Sequence, residues 1–159
     1  MGNLEQEVGA LLRQKGLTLG VVESATGGLI SHQITNVPGS SDYYQGSVTP
    51  YSNELKIKVV GVKEETIKER GAVSSPVVEE MARGGRKILA ADICLADTGI
   101  AGPGGVTSKK AVGLFYIGLS HRGGTYSQKH DFKGDREQNK RSAAEAALNW
   151  LKEYLISLK

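Results

Sequence analysis

The stretch VVESATGGLISHQ, residues 21–33, decides the fold that is predicted for this chain. Its opening ends an apolar run that is typical of a buried strand, and its close begins an apolar helix. Between the two lie a serine, a threonine and two glycines, whereas a tight turn needs about one glycine. The stretch therefore predicts a strand, a polar loop and a helix in succession, with the loop built to hold a ligand.

The rest of the 159-residue chain predicts strands and helices in alternation. Apolar residues at helical spacing predict a first helix that Gly16 ends and a long last helix from Asp135. Between them the sequence predicts a strand with a bulge at Gly46 and then two short helices in 52–71, the first of which is capped by Ser52. A helix over 74–90, a strand that ends at Gly99 and a hairpin that turns at 123–124 follow. This order predicts an α/β fold, with three α/β/α layers around a mixed sheet, in a single domain over residues 1–159.

Two glycines interrupt the helix predicted over 74–90. Gly84 and Gly85 each cost about 1 kcal/mol relative to alanine in a helix interior. A sequence that tolerates both predicts close packing of this helix against a neighbour.

Composition excludes several classes of function. The net charge of +3 is too small to indicate a nucleic-acid partner, and charge clusters of mixed sign are typical of a solvated face. The single cysteine, Cys94, excludes an internal disulfide and fits a reducing compartment. No apolar run approaches the length of a membrane span, and the amphipathic N-terminus does not resemble a signal peptide. We expect a cytoplasmic protein without a membrane partner, whose small size and hairpin edge allow a homo-oligomer.

The loop ESATGG, residues 23–28, has a counterpart in TGIAGPGG, residues 98–105. Each follows an apolar strand, and in open α/β sheets ligands bind beyond the carboxyl ends of strands. Backbone N–H groups at a helix start bind anions or a developing oxyanion, and glycines let the backbone approach a ligand closely. Two structural alternatives stay open: Ser24 or Thr26 only caps the following helix, and the second loop is only a tight crossover turn.

Ser24 needs a base to act as a nucleophile, and histidine is the usual one. The three histidines, His32, His121 and His130, have no neighbouring carboxylate at a triad-like position. We therefore interpret them as surface or satisfied structural residues. None is spaced with Cys94 as metal ligands are, so the sequence predicts no metal and no cofactor.

Lysine is the other base known for serine, and Lys56 lies in the segment YSNELK, on a helix that follows a predicted strand. Asn53, three residues away, shares its helical face. A free lysine has a pKa near 10.4, so a base near neutral pH needs a fall of about 3 units, or about 4 kcal/mol. Burial can supply that fall. The alternative is a solvated surface lysine, and spacing does not decide between the two.

Six segments follow one another in an order that is specific to one family. They are ESATGG, PGSSDYYQGSVTPYSNELK, GAVSSPVVEEMA, TGIAGPGG, the VG that precedes an apolar strand, and FKGDRE. Together they resemble the C-terminal domain of competence-damage inducible protein A (CinA) over nearly the whole chain. The resemblance is to the stand-alone form of that domain, the PncC-type nicotinamide-nucleotide amidases, without the N-terminal molybdopterin-binding-like domain of full-length CinA.

The resemblance implies hydrolysis of the carboxamide of nicotinamide mononucleotide to nicotinic acid mononucleotide and ammonia, in pyridine nucleotide salvage or clean-up. It implies Ser24 as the nucleophile, Lys56 as the base and Tyr51 as an aid to proton transfer. Arg136 would be a partner of the substrate or of the catalytic group. The other predicted substrate-binding residues are Thr26, Gly27, Gly28, Asn53, Thr98, Gly99, Ala101 and Gly102. Which loop binds the phosphate and which the oxyanion stays open.

Three positions depart from the family pattern. Ala25 stands where cysteine is usual, Pro50 where threonine or alanine is common, and Asp97 where a small or apolar residue precedes TGIAGP. Asp97 puts a carboxylate near the predicted pocket, which bears on substrate preference. Two other functions therefore stay open: a nucleotide-binding module without turnover, and an amidase for a different small amide.

Overall fold

The computed structural model describes residues 3–159, which form a five-stranded mixed sheet between two layers of helices. The strands are β1 (Leu19–Val22), β2 (Tyr44–Val48), β3 (Ile93–Gly99), β4 (Leu114–His121) and β5 (Gly124–Asp131). Their order across the sheet is β2-β1-β3-β4-β5, with β1 parallel to β2 and β3 and the other pairs antiparallel. The predicted three-layer α/β fold with a mixed sheet is confirmed.

Helices cover both faces of this sheet. They are α1 (Leu4–Lys15), α2 (Leu29–Thr35), α3 (Asn53–Val60), α4 (Glu64–Arg70), α5 (Ser75–Ile88) and α6 (Arg136–Ser157). One apolar core lies under α1, α2 and α6, and a second lies under α5, against which α3 and α4 pack. Within residues 3–159, none of the helices has both the length and the apolarity to cross a membrane.

Local sequence sets the ends of the helices as predicted. Gly16 ends α1 in the left-handed conformation, with φ 67°, where a residue with a Cβ would be strained. Ser52 caps α3, since its hydroxyl accepts from the N–H of Leu55 at 3.1 Å. Asp135 precedes α6 and forms a reciprocal capping box with Gln138.

The bulge in β2 lies one position before the predicted one. Leu19 of β1 is opposite Tyr44, and the next residue, Gly20, is opposite Gly46. The extra residue of the bulge is therefore Gln45, and Gly46 is the residue at which regular pairing resumes.

Helix α5 runs without a break through Gly84 and Gly85. A Cβ on Gly84 would collide with the carbonyl oxygen of Val60, and one on Gly85 would collide with the side chain of Val22. Helix α5 thus lies against α3 and β1 at a distance that only glycine allows. The close packing predicted at these two positions is confirmed.

The topology brings the carboxyl ends of β1 and β3 side by side. Val22 at the end of β1 is paired with Ala96, close to the end of β3. On the other side of β1, the chain leaves β2 and enters α3 at the same edge of the sheet. This edge therefore gathers the loop 23–28, the start of α3 and the loop 98–105.

Candidate active site

A pocket of about 360 Å³ opens at this edge of the sheet, within the range of about 300–1,000 Å³ that is usual for small-molecule sites. The predicted site residues that line it are Ser24, Tyr51, Asn53, Lys56, Thr98, Gly99, Ala101 and Arg136. Residues not predicted as part of the site also line it, namely Ala25, Ala72, Val73, Ile100, Gly104 and Gly105. The pocket thus joins both loops, the start of α3 and the start of α6.

Lys56 is buried in this pocket, with 2% of its surface exposed. Its Nζ donates a hydrogen bond of 2.8 Å to the carbonyl oxygen of Tyr51. Burial lowers the pKa of Lys56, and the charge of Asp97 acts in the opposite direction. The surface-lysine alternative is therefore wrong, and this ammonium group loses its proton more readily than that of a free lysine.

Ser24 lies in the same pocket and is 7% exposed. Its backbone is fixed, because its N–H donates to Asp97 at 3.2 Å and its carbonyl accepts from Gly27. Its hydroxyl has no hydrogen-bond partner in the described part of the chain, and α2 begins after Gly28, so Ser24 does not cap this helix. Ser24 and Lys56 share the pocket without a direct hydrogen bond. The Ser24 hydroxyl is thus free to take a partner in the pocket, and activation as a nucleophile would also need a base within hydrogen-bond reach.

Glu23 holds the first loop together, a role that sequence reasoning missed. Its buried carboxylate accepts from the Thr26 hydroxyl at 2.6 Å and from the Ser31 hydroxyl at 2.7 Å. It also accepts from the N–H groups of Gly28, Ile30 and Ser31, at 2.9 to 3.1 Å. These are N–H groups at the start of α2, which otherwise lack partners. The signal in the sequence is an acid between a buried strand and a helix start, where it can be satisfied only by the donors that follow.

Thr26, Gly27 and Gly28 stabilise the loop and do not line the pocket. The N–H of Thr26 donates to Asp97 at 3.1 Å, that of Gly27 to the Ser24 carbonyl at 3.1 Å, and that of Gly28 to the carboxylate described above. Both glycines have positive φ, 64° and 108°, so the turn itself requires them. The prediction that these backbone groups are offered to a ligand is wrong, because each already has an acceptor.

Ala25 and Ala101 keep their backbone donors at the pocket. One lies in each loop, both line the pocket, and neither N–H has a hydrogen-bond acceptor among residues 3–159. Backbone donors of this kind can stabilise an oxygen that gains negative charge where they reach it. Ala25 departs from the family pattern in its side chain, whereas its backbone N–H is left without an acceptor in the described chain.

Side chains of α6 hold the second loop from outside. Arg136 donates to the carbonyl of Gly102 at 2.8 Å and to the hydroxyl of Tyr51 at 3.3 Å. The buried Asn139 donates to the carbonyl of Ala101 at 3.1 Å. Gly102 thus supports the pocket through its carbonyl without lining it. Arg136 brings a positive charge to the rim, beside the exposed Tyr51.

Two buried polar residues end β3 beneath the pocket. Asp97 is fully buried and lies behind the first loop; burial raises its pKa to about 6. Thr98 donates from its hydroxyl to the carbonyl of Ala72 at 2.8 Å and so ties β3 to the segment before α5. The carboxylate expected near the pocket is therefore present, but it supports the wall and does not line it.

The histidines take structural positions. His121 stacks on both Tyr126 and Tyr154, with ring centroids 5.6 and 4.4 Å apart. His130 lies on the edge strand β5, and His32 is exposed on α2. The interpretation of all three as surface or structural residues is confirmed.

The fold and the pocket together define a class: an α/β domain with a pocket, lined by a serine and a buried lysine, at the carboxyl ends of its parallel strands. Family comparison is specific. The chain belongs to the CinA C-terminal domain family, whose model matches residues 1–155.

Relatives and solved structures agree with this assignment. The chain is 48% identical over 145 residues to the competence-damage inducible protein of Moorella thermoacetica, with 91% of this chain and 35% of that protein covered. It is 47% identical over 157 residues to a CinA-like protein of Chloroherpeton thalassium, with coverage of 96% and 37%. It thus spans little more than a third of these relatives. The crystal structure of the competence damage-inducible protein A (ComA) from Klebsiella pneumoniae matches with a TM-score of 0.95 at 32% identity, covering 98% of this chain and 97% of that one.

Proposed function

We propose that this chain hydrolyses the carboxamide of nicotinamide mononucleotide to nicotinic acid mononucleotide and ammonia. The observation that carries the proposal is the presence, in one pocket, of a free serine hydroxyl and a buried lysine whose pKa is lowered. Membership of the CinA C-terminal domain family supports it, since the resemblance of the motifs implies Ser24, Tyr51 and Lys56 as the catalytic residues.

The proposed reaction runs in two halves. Ser24 Oγ attacks the carboxamide carbon and gives its proton to the neutral amine of Lys56, so that a C–O bond forms and the carbonyl oxygen becomes an oxyanion. Lys56 then passes the proton to the amide nitrogen, the C–N bond breaks and ammonia leaves. Water attacks the resulting ester with the same proton route, and the carboxylic acid product leaves as Ser24 is restored.

The free backbone donors and the rim cation suit the two ends of this substrate. The N–H groups of Ala25 and Ala101 are the proposed donors to the oxyanion, a kind of contact often worth about 10²–10³ in kcat for one donor. Arg136, with a guanidinium that binds phosphate in bidentate fashion, is the proposed partner of the phosphate. In this assignment both loops serve the carboxamide, and the start of α6 serves the phosphate.

An assay of ammonia release tests the proposal. The purified chain is incubated with nicotinamide mononucleotide beside Ser24→Ala, Lys56→Ala and the control Lys58→Ala. Lys58 lies on the same helix, with 72% of its side chain exposed and a single contact to Glu54. We expect the first two variants to lose at least about 10³-fold in kcat, as for other members of nucleophile–base sets, and the control to keep its activity.

The same assay separates the other functions. Activity that survives Ser24→Ala contradicts the mechanism. Binding of nicotinamide mononucleotide without ammonia release indicates a binding module. Neither binding nor release indicates that a different small amide is the substrate.

A further inference from the structure

The hydroxyl of Thr26 lies between two buried carboxyl groups. Its Oγ1 is 2.6 Å from Oε1 of Glu23 and also makes a short contact with Oδ2 of Asp97. Both carboxyl groups are fully buried, so bulk water does not separate them. Two acids therefore meet at one hydroxyl.

If both carboxyl groups were ionised, the threonine hydroxyl would hold the only hydrogen among the three groups. The two short contacts require one more. A hydroxyl has a single hydrogen and can donate to only one of its two neighbours. With both acids ionised, the other contact would bring two oxygens together with no hydrogen between them. One of the two carboxyl groups must donate to Thr26 Oγ1, which then donates to the other.

Asp97 is the group that holds this proton. Glu23 accepts four further hydrogen bonds from the start of α2, so both of its oxygens already serve as acceptors. Asp97, in the described chain, accepts from only two backbone N–H groups besides the Thr26 contact. Burial, with a smaller contribution from the charge of Glu23, raises the pKa of Asp97 to about 6, so Asp97 holds this proton below about pH 6 and loses it above that pH.

The charges around Asp97 come from several elements. On α5, Glu79 accepts a hydrogen bond from β5, and Arg86 donates one to the end of β4. On β4, the residue paired with Asp97 is the apolar Ile117. The charged groups at the two loops are Glu23 after β1, Lys56 on α3, and Arg136 and Lys140 on α6. Of these, Lys56 is the cation whose pKa Asp97 raises.

We propose that Asp97 holds the shared proton of a chain that runs from Asp97 through Thr26 to Glu23, and that it acts as a positioning residue behind Ser24. The N–H groups of Ser24 and Thr26 both end on this carboxyl group, so it fixes the backbone of Ser24 as well. The consequence for catalysis rests on the function proposed above, whereas the proton chain does not.

Titration by NMR tests the proposal without a substrate. In protein labelled with ¹³C, the Asp97 carboxyl and the Lys56 side chain are followed with pH in the wild type, Asp97→Asn and Glu23→Gln. We expect the Asp97 carboxyl of the wild type to titrate above the ordinary aspartate range. In Asp97→Asn, Lys56 is expected to lose its proton at lower pH, with an acid constant raised about tenfold, the size usual for a neighbouring opposite charge. In Glu23→Gln, the Asp97 titration moves toward the ordinary range, because the shared proton is no longer required.

The pH profile of amidase activity supplies a second readout. The neutral amine of Lys56 appears as the pH rises. Removal of the Asp97 anion is therefore expected to shift the ascending limb of the profile to lower pH, that is, to an about tenfold higher proton concentration. A purely structural role for Asp97 would lower the rate without moving this limb.

Each outcome separates the two proposals. An Asp97 carboxyl of the wild type that is ionised in the ordinary aspartate range overturns the proton chain. A Lys56 titration that is unchanged in folded Asp97→Asn shows that the Asp97 carboxyl does not act on Lys56 and limits its role to the backbone of Ser24. If both titrations behave as expected and the wild type releases no ammonia, the proton chain stands and the amidase function fails.

Discussion

The loops 23–28 and 98–105 follow neighbouring parallel strands, and both are rich in glycine, yet they use their polar groups in opposite ways. In the first loop, four of the backbone N–H groups from Ser24 to Gly28 end on Glu23, Asp97 or the Ser24 carbonyl. In the second, the carbonyls of Ala101 and Gly102 accept from side chains of α6, while the N–H of Ala101 stays free.

This difference separates two tasks in one pocket. The first loop is tied internally by two buried acids and presents Ser24 and Ala25 in a fixed position. The second loop is held by α6 from outside and forms a wall with donors still available. Glycine content alone does not distinguish a loop that is tied by internal hydrogen bonds from a loop with free donors. The hydrogen-bond partner of each backbone N–H group does.

The largest expected effect comes from removing the centre of the first loop. Glu23→Ala leaves two hydroxyls and three N–H groups without their acceptor. We expect a loss of about 3–5 kcal/mol in the free energy of unfolding, the cost of breaking a buried charged network. Urea denaturation, with the slope of the transition compared between variants, measures the loss.

Glu64→Ala is the matched control for this change. Glu64 makes an exposed contact with Lys68 at 3.4 Å on α4, so its removal is expected to cost less than about 1 kcal/mol. Equal losses in the two variants would show that Glu23 does not hold the loop.

The next largest effect concerns Asp97, whose titration makes the free energy of unfolding depend on pH. The pKa of Asp97 is raised from 3.8 to about 6. As the pH rises from 3.8 to about 6, the Asp97 carboxyl of the unfolded chain releases its proton while that of the folded chain keeps it. The stability that comes from this bound proton is therefore full below pH 3.8 and lost above about pH 6. The loss is about 3 kcal/mol at 1.36 kcal/mol for each unit.

Asp97→Asn removes this titration, so its stability relative to the wild type is expected to rise between pH 4 and pH 6, by about 2 kcal/mol of the full 3. Urea denaturation across this range measures the difference. Asp131→Asn, at an exposed position on β5, controls for the loss of a carboxylate. A difference between Asp97→Asn and the wild type that stays constant with pH would contradict the raised pKa.

The sequence predicts the strand, loop and helix at 21–33 because the signals for each are local. Apolar runs, helix caps and turn residues act within a few positions of one another, which is also why Ser52 and Asp135 are predicted as helix starts. Gly84 and Gly85 are predicted as a close contact because a costly residue in a helix interior needs a reason.

The state of the polar groups in the pocket depends on contacts that are distant in the sequence. Asp97 binds the N–H groups of Ser24 and Thr26 across 73 and 71 positions, and no local pattern gives such a pairing. Without knowledge of this pairing, the backbone N–H groups of the first loop are predicted to be free to bind a ligand. The burial of Lys56 likewise depends on how α3 lies against the sheet edge, so its spacing from Asn53 does not reveal it.

The smallest effect concerns the side chain that joins the second loop to the rim. In a Ser24→Ala background, Arg136→Ala is expected to weaken binding of nicotinamide mononucleotide about 10- to 100-fold, the loss of a charge-assisted contact of about 1.5–3 kcal/mol. Binding of nicotinamide riboside, which lacks the phosphate, is expected to stay unchanged; calorimetry measures both.

Arg141→Ala, exposed on the same helix, is the control for the loss of an arginine. Arg136 also donates to the Gly102 carbonyl, so its removal can loosen the wall instead of the phosphate contact. A loosened wall weakens both ligands by the same factor, whereas a lost phosphate contact weakens only the nucleotide. Equal weakening would therefore assign Arg136 to the support of the second loop and leave the phosphate to another group of the pocket.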